Sequence, residues 1–286
     1  MKTQIKIVVP TDFSVTARNA FQFAENLAES TKAALTVVHV NEYFIPISNF
    51  AVAPLSLNEE PQLGEAMENF IQDKNEDTGM PTLTKNAVKT RILKGNTTDR
   101  LVELSEEKDT DWIVMGTTGL QDFTTKIIGS TSYSLANKAH CPVFLVPRDA
   151  KWRPIRKILF ASNSVSARPE MMRKIIAFAE IFKASIHFVH VNEGNHETAQ
   201  VNNVIWDEFL CRTTPTVSFQ THVINSNNAV QALHLYAKNH NIDLVAFISP
   251  HRSFWQNLIH ISVTERFAMV DERPMLIMHF DDGENK

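Results

Sequence analysis

At 286 residues the chain is long for one domain, and two domains of about 140 residues each are the natural expectation. Its 43% hydrophobic and 21% charged residues are those of an ordinary globular protein, and a net charge of −4 leaves no basic excess for neutralising phosphates, which argues against nucleic acid as the main partner. Two cysteines, Cys141 and Cys211, make no disulfide framework, no apolar run approaches the ~20 residues that cross a bilayer, and the N-terminus lacks the apolar core of a signal peptide, so a cytoplasmic protein without membrane contact is expected.

In chain order, Ile5–Pro10 reads as a first strand, apolar apart from Lys6, as in a parallel sheet covered on both faces. Thr11-Asp12-Phe13-Ser14 is a turn in which Ser14 can cap a helix. That helix carries Ala17, Ala20, Phe21, Ala24, Leu27 and Ala28 on one stripe. Ala34–Val40 is the second strand, and Pro46 and Pro54 break regular structure over 41–57. Leu63, Met67, Phe70 and Ile71 mark a second helix, and Ala87–Leu93 a third strand. Gly95-Asn96-Thr97 then leads into a helix bearing Leu101, Val102 and Leu104. Trp112–Gly116 and Val143–Val146 are strands four and five. Such alternation predicts α/β architecture, a doubly wound parallel sheet with helices on both faces.

Between strand four and the next helix stand Gly116-Thr117-Thr118-Gly119 and Gly129-Ser130-Thr131-Ser132. Glycines let a backbone come close to an anion, and a helix N-terminus offers free N–H groups and the positive end of a dipole. Strand, glycine loop and hydroxyl-rich helix start together suit phosphate binding. There is no Gly-x4-Gly-Lys-[Ser/Thr] loop and no strand-to-helix Gly-x-Gly-x-x-Gly, which argues against P-loop and ordinary dinucleotide folds.

The pattern then restarts. Ile5-Lys6 and Ile155-Arg156 stand 150 residues apart, as do Ser14-Val15-Thr16-Ala17-Arg18 and Ser164-Val165-Ser166-Ala167-Arg168. His39-Val40-Asn41-Glu42 recurs as His190-Val191-Asn192-Glu193, one residue further on. Asp111 matches Asp243, and Cys141-Pro142-Val143 matches Arg273-Pro274-Met275, both 132 apart. A tandem duplication is expected, with domains at 1–148 and 154–281. The copies differ in chemistry. Gly116, Gly119 and Gly129 correspond to Ile248, His251 and Ile261, Thr131 to Val263, and Asp12, at the 150-residue offset, to Ser162. The anion cradle is therefore expected once, in the first domain, with the second degenerate.

The start Val9-Pro10-Thr11-Asp12-Phe13-Ser14, the spacing Gly116-x2-Gly119-x9-Gly129-Ser130-Thr131 and the close His140-Cys141-Pro142-Val143-Phe144-Leu145-Val146-Pro147 resemble the universal stress proteins in their tandem form. The resemblance implies five-stranded parallel sheets of order 3-2-1-4-5 and a ligand crevice where that order reverses, between strands one and four. It also implies ATP as ligand, in a stress-response or regulatory module. Carried over residue by residue, Pro10 and Thr11 would line one side, Asp12 would hold the ribose or adenine edge, and Val40 would touch the adenine. Met115 and Gly116 would shape the base and sugar end; Thr118, Gly119, Gly129, Ser130, Thr131 and Ser132 would cradle the phosphates. Asp12 could hold a magnesium ion through water, and Lys126 lies in the loop without a family role. Family members pair domains through strand five, so Val143–Val146 and Met275–Met278 are expected to meet inside this chain, with homodimerisation and an unknown protein partner left open.

Two other readings stay open at this stage: a slow ATP hydrolase or nucleotidyl transferase, and a nucleotide-free structural or chaperone-like protein using 43–57 and 201–210 as contact surfaces. Phosphoryl transfer needs placed charge and an oriented nucleophile, and no clear base or arginine clamp accompanies Asp12; no catalytic residue is assigned. The eleven histidines have poor metal spacing. His187 and His190 sit three apart on a strand and point to opposite faces, and His234 and His240 are six apart on a helix. Packed or solvated histidines are expected, and no metal site.

Overall fold

The computed structural model describes residues 4–42, 59–72, 88–117, 129–162, 169–192, 216–250 and 271–280. Thr118, Gly119, Lys126, Cys211, the segments 43–57 and 201–210, and His251, Ile261 and Val263 lie outside them. The strands are β1 (Lys6–Pro10), β2 (Ala34–Asn41), β3 (Val88–Lys94), β4 (Trp112–Gly116), β5 (Val143–Val146), β6 (Lys157–Ser162), β7 (Ser185–Asn192), β8 (Phe219–Asn225), β9 (Leu244–Pro250) and β10 (Met275–Phe280). The helices are α1 (Val15–Thr31), α2 (Glu59–Gln72), α3 (Thr97–Glu106), α4 (Ser130–Lys138), α5 (Pro169–Phe182) and α6 (Ala229–Asn239).

All ten strands form one sheet, ordered β3-β2-β1-β4-β5-β10-β9-β6-β7-β8. Each half contributes the order 3-2-1-4-5, and every pairing is parallel except β5 with β10. There Leu145 faces Met275, Phe144 faces Leu276 and Val143 faces Ile277 in antiparallel register, so each half covers the other's apolar edge. The wholly buried β5 reads as it should for a strand covered on both faces and both edges.

Local signals place the helices. Ser14 Oγ accepts the Ala17 N–H at the start of α1, and Lys32, in the left-handed region at φ 55°, closes its end. The stripe read from the sequence, Ala17 to Ala28, is the buried face. On one side of the sheet, α1, α2 and α5 cover a core running through both halves. Trp112 of β4 meets Phe178 and Phe182 of α5 at ring distances of 5.6 and 6.2 Å, and Phe178 also meets Phe144 at 5.9 Å. Residues of α3, α4 and α6 line the core on the other side.

The register corrects the repeat. The Lys6 N–H donates to Asp111 Oδ2, and the Lys157 N–H donates to Asp243 Oδ2. The left-handed caps Lys32 and Lys183 likewise correspond. Both matches set the offset at 151 through the first two strands and the helix between them, not 150. Thr11 then matches Ser162 and Asp12 matches Asn163, which lies outside the described residues, in place of the Asp12–Ser162 match expected above. Hydrogen-bond partners define equivalence physically, whereas a short run of similar letters can slip by one.

Candidate functional site

Strand order reverses between β1 and β4, where Ile7 pairs with Trp112 and Val8 with Ile113. Beyond the C-terminal ends of these strands lies a cleft of about 290 Å³. Crevices at such a reversal are where open α/β sheets take ligands, and this volume is at the small end of ligand pockets.

One wall is the turn after β1. The buried Thr11 extends the pairing, its N–H reaching the Val38 carbonyl at 2.8 Å, while its Oγ1 accepts the Phe13 N–H at 2.9 Å. Asp12 Oδ1 accepts the Ser14 N–H at 3.0 Å, an Asx-type turn that aims the exposed carboxylate over the cleft mouth. Its second oxygen has no partner among the described residues. Phe13 has a φ of 64°, which an aromatic residue adopts only under constraint. The constraint is packing: its ring lies 4.6 Å from His39 and edge-on to Phe70 at 5.8 Å. His39 Nδ1 is 2.8 Å from the Thr11 carbonyl, which can only accept, so the proton of the ring sits on Nδ1.

The second wall is apolar. Val38, Val40 and Met115 are buried and meet Leu101 of α3. Gly116 ends β4 where a Cβ would stand 2.6 Å from Thr16 Cγ2 and 2.7 Å from the Thr16 carbonyl. The close approach that requires this glycine is therefore the first turn of α1.

The third wall is the start of α4. Its N-cap is Gly129, with φ −55° and ψ 143°, a backbone that any L residue adopts, and no side chain caps it. Ser14, Asn96 and Asn228 cap α1, α3 and α6 through side-chain oxygens. Without such a cap, the Ser130, Thr131 and Ser132 N–H groups have no acceptor within the helix. Ser132 Oγ donates to the Gly116 carbonyl at 3.0 Å, tying the start of α4 to the end of β4.

Of the twelve residues singled out in the sequence, ten line this cleft together: Pro10, Thr11, Asp12, Val40, Met115, Gly116, Gly129, Ser130, Thr131 and Ser132. Thr16, Val38, His39, Thr97, Leu101 and Thr117 line it as well and were not foreseen. Thr97 had a legible signal, since it follows Gly95-Asn96 at the end of a strand; Val38, His39 and Thr117 are placed by the sheet, and Thr16 and Leu101 by α1 and α3 packed against it. Asp12 is the one formally charged side chain among the described lining residues. Cys141, whose thiol burial pushes up to about 12, is a packed core residue remote from this chemistry.

In the second half, β9 and β10 pair so that Ile248 stands where Gly116 does, opposite Met278 as Gly116 is opposite Val146. The sequence at that position departs from the geometry that builds the first cleft.

Comparison with known proteins follows the same division. The sequence model of the "Universal stress protein family" matches residues 5–147. A universal stress protein of Methanocaldococcus jannaschii is 31% identical over 155 residues, 51% of this chain and 84% of that protein. The crystal structure of a universal stress protein from Archaeoglobus fulgidus covers 96% of this chain and 98% of its own, at 14% identity and a TM-score of 0.67. A universal stress protein solved in complex with cAMP aligns with 51% of this chain and 98% of its own, at 23% identity and a TM-score of 0.35.

Proposed function

The chain belongs to the universal stress protein family, and we propose that it is an ATP-binding regulatory module with one nucleotide site, in its first half. In this reading residues 1–148 and 154–281 are two domains, the second a partner or regulator of the first. Adenine occupies the apolar wall at Val38, Val40, Leu101 and Met115, the ribose meets Asp12, and the phosphates lie against the α4 N-terminus. Thr118 and Gly119 complete the phosphate cradle. A magnesium ion, where present, is held through water by the Asp12 oxygen that no described group engages.

The observation that carries the reading is the pairing of that free carboxylate oxygen with the uncapped start of α4 across one cleft. A ribose hydroxyl donates to the first, and a polyanion satisfies the second. A cleft whose described lining includes no Lys or Arg suits holding a nucleotide more than moving a phosphoryl group, which needs a charge clamp. Binding can then regulate by shifting a balance between two packings for which ATP has unequal affinity.

Calorimetric titration of the full chain with ATP tests this. We expect a single site per chain. Replacing Gly129 by Asp puts a carboxylate at the N-cap, which satisfies the α4 N–H groups and repels phosphate. Affinity should fall at least about tenfold while the melting temperature holds or rises. Wild-type protein without measurable ATP binding, or a Gly129→Asp variant that binds equally well, defeats the proposal.

A further inference from the structure

Three histidines distant in sequence meet at the outer end of the second half. His187 on β7, His222 on β8 and His240, the residue closing α6, have ring centroids 5.7 to 6.1 Å apart. Tyr236 of α6 joins them, stacked on His240 at 3.9 Å, with its hydroxyl 2.8 Å from His187 Nδ1. His187 is only 4% exposed. His222 Nε2 is 3.3 Å from Gln220 Oε1, and His240 Nδ1 is 3.0 Å from the Tyr236 carbonyl. Among the described residues no group of three His, Cys, Asp or Glu side chains is arranged to hold a metal ion, so this is a packing cluster.

The same corner of the first half is built differently. There Arg91 of β3 forms a two-pronged ion pair with Glu107 at 2.7 and 3.2 Å, and Lys6 of β1 pairs with Asp109. The caps Asn96 and Asn228 and the partners Asp111 and Asp243 are both 132 apart, so residues between them correspond one to one. Glu107 becomes Asn239, Asp109 becomes Asn241 and Lys108 becomes His240. The pairings of Val38 with Arg91 and of Val189 with His222 put His222 in the place of Arg91. Two carboxylates are lost from the corner that gains three imidazoles.

We propose that this cluster is an acid-sensitive latch, which holds the end of α6 on β7 and β8 while its histidines are neutral and releases it when they take up protons. Among the described residues, the groups facing it from neighbouring elements supply no compensating negative charge. From β6, Lys157 adds a further cation, its Nζ on the His240 carbonyl at 3.1 Å. Asp243, ahead of β9, directs its carboxylate to the Arg156 and Lys157 N–H groups. From α6 comes the neutral Tyr236, and from β8 the neutral Gln220. Burial first, then the charges of His240, His222 and Lys157, push His187 from 6.5 down to about 4; burial and His240 push His222 down as well. Groups whose folded value is depressed leave more protons on the unfolded chain. Stability is then constant above about 6.5, falls as pH drops below it, and for His187 has been lost by about 4. Arg91 keeps its charge through that window, and Thr36, Arg91 and Lys108 stand where the second half has its three histidines, so the first half has no matching uptake of protons.

Amide hydrogen exchange on the full chain at pH 7.5 and 5.0, corrected for intrinsic rates, reads the latch directly. Protection over 219–225 and 229–242 should fall on the order of tenfold at pH 5.0, while protection over 88–94 and 97–107 changes little. A His222→Arg, Asn239→Glu double variant, which transplants the ion pair of the first half, should lose less protection at pH 5.0 than the wild type. A His187→Gln, His222→Gln, His240→Gln variant, which removes all three rings, should show little difference between the two pH values. Equal wild-type protection at both pH values, loss in both halves together, or an undiminished loss in the glutamine variant would overturn the latch.

Discussion

Gly116 and Gly64 show how much a single Cβ can decide. At Gly116 it would sit 2.6 Å from Thr16 Cγ2 and 2.7 Å from the backbone oxygen, and backbone cannot swing aside as a long side chain can. Gly116→Ala should therefore cost about 1–3 kcal/mol by overpacking. At Gly64, inside α2, nothing lies within 4 Å, so Gly64→Ala should add about 0.5–1 kcal/mol through helix propensity. Denaturant midpoints of the two variants should move in opposite directions. Glu25 of α1 makes a third case. Burial pushes its carboxyl up to about 7 against the lowering charge of Arg18, and its Oε1 has no hydrogen-bond partner among the described residues. A raised carboxyl contributes stability below its unfolded value of 4.5, lost as pH rises through about 7. Glu25→Gln should then raise the melting temperature more at pH 8 than at pH 5.

At the scale of elements, the periodic signals were legible in the residues themselves, and the pairings only through the family resemblance. The stripe Ala17–Ala28 is the buried face of α1, because a 3.6-residue period leaves only one side of that sequence apolar. Each apolar strand read in the first half falls within two residues of an observed one. Gly129 was readable as part of a phosphate loop, but its meaning was not. Its ordinary φ shows that backbone freedom is not its use; the absent side chain leaves the start of α4 open. Asp12 holds the opposite wall through its Oδ1 bond to the Ser14 N–H. Asp12→Asn keeps that acceptor and should leave the melting temperature nearly unchanged, whereas Asp12→Ala should cost about 0.5–1.5 kcal/mol. Both should weaken ATP binding in a titration, if the free oxygen holds the ribose or a hydrated magnesium.

For the whole molecule, the join is a single core. The antiparallel seam between β5 and β10 and the contacts of Trp112 and Phe144 with Phe178 make neither half's apolar edge complete alone. Phe178→Ala, at a buried position, should cost about 3–5 kcal/mol. Calorimetry and near-ultraviolet dichroism should still report one coincident transition, shifted down as a unit. Two separated transitions would show that the halves unfold independently. By itself the sequence determined the alternation of strands and helices, the tandem repeat and the composition of the loop beside Gly116, because these follow from periodicity and from local backbone chemistry. Only the tertiary structure decided the one-residue shift in the repeat, the closeness of Thr16 to Gly116 and the meeting of His187, His222 and His240. Each depends on which strands hydrogen-bond and which helix lies across them, contacts between residues too far apart in sequence for any local pattern to record.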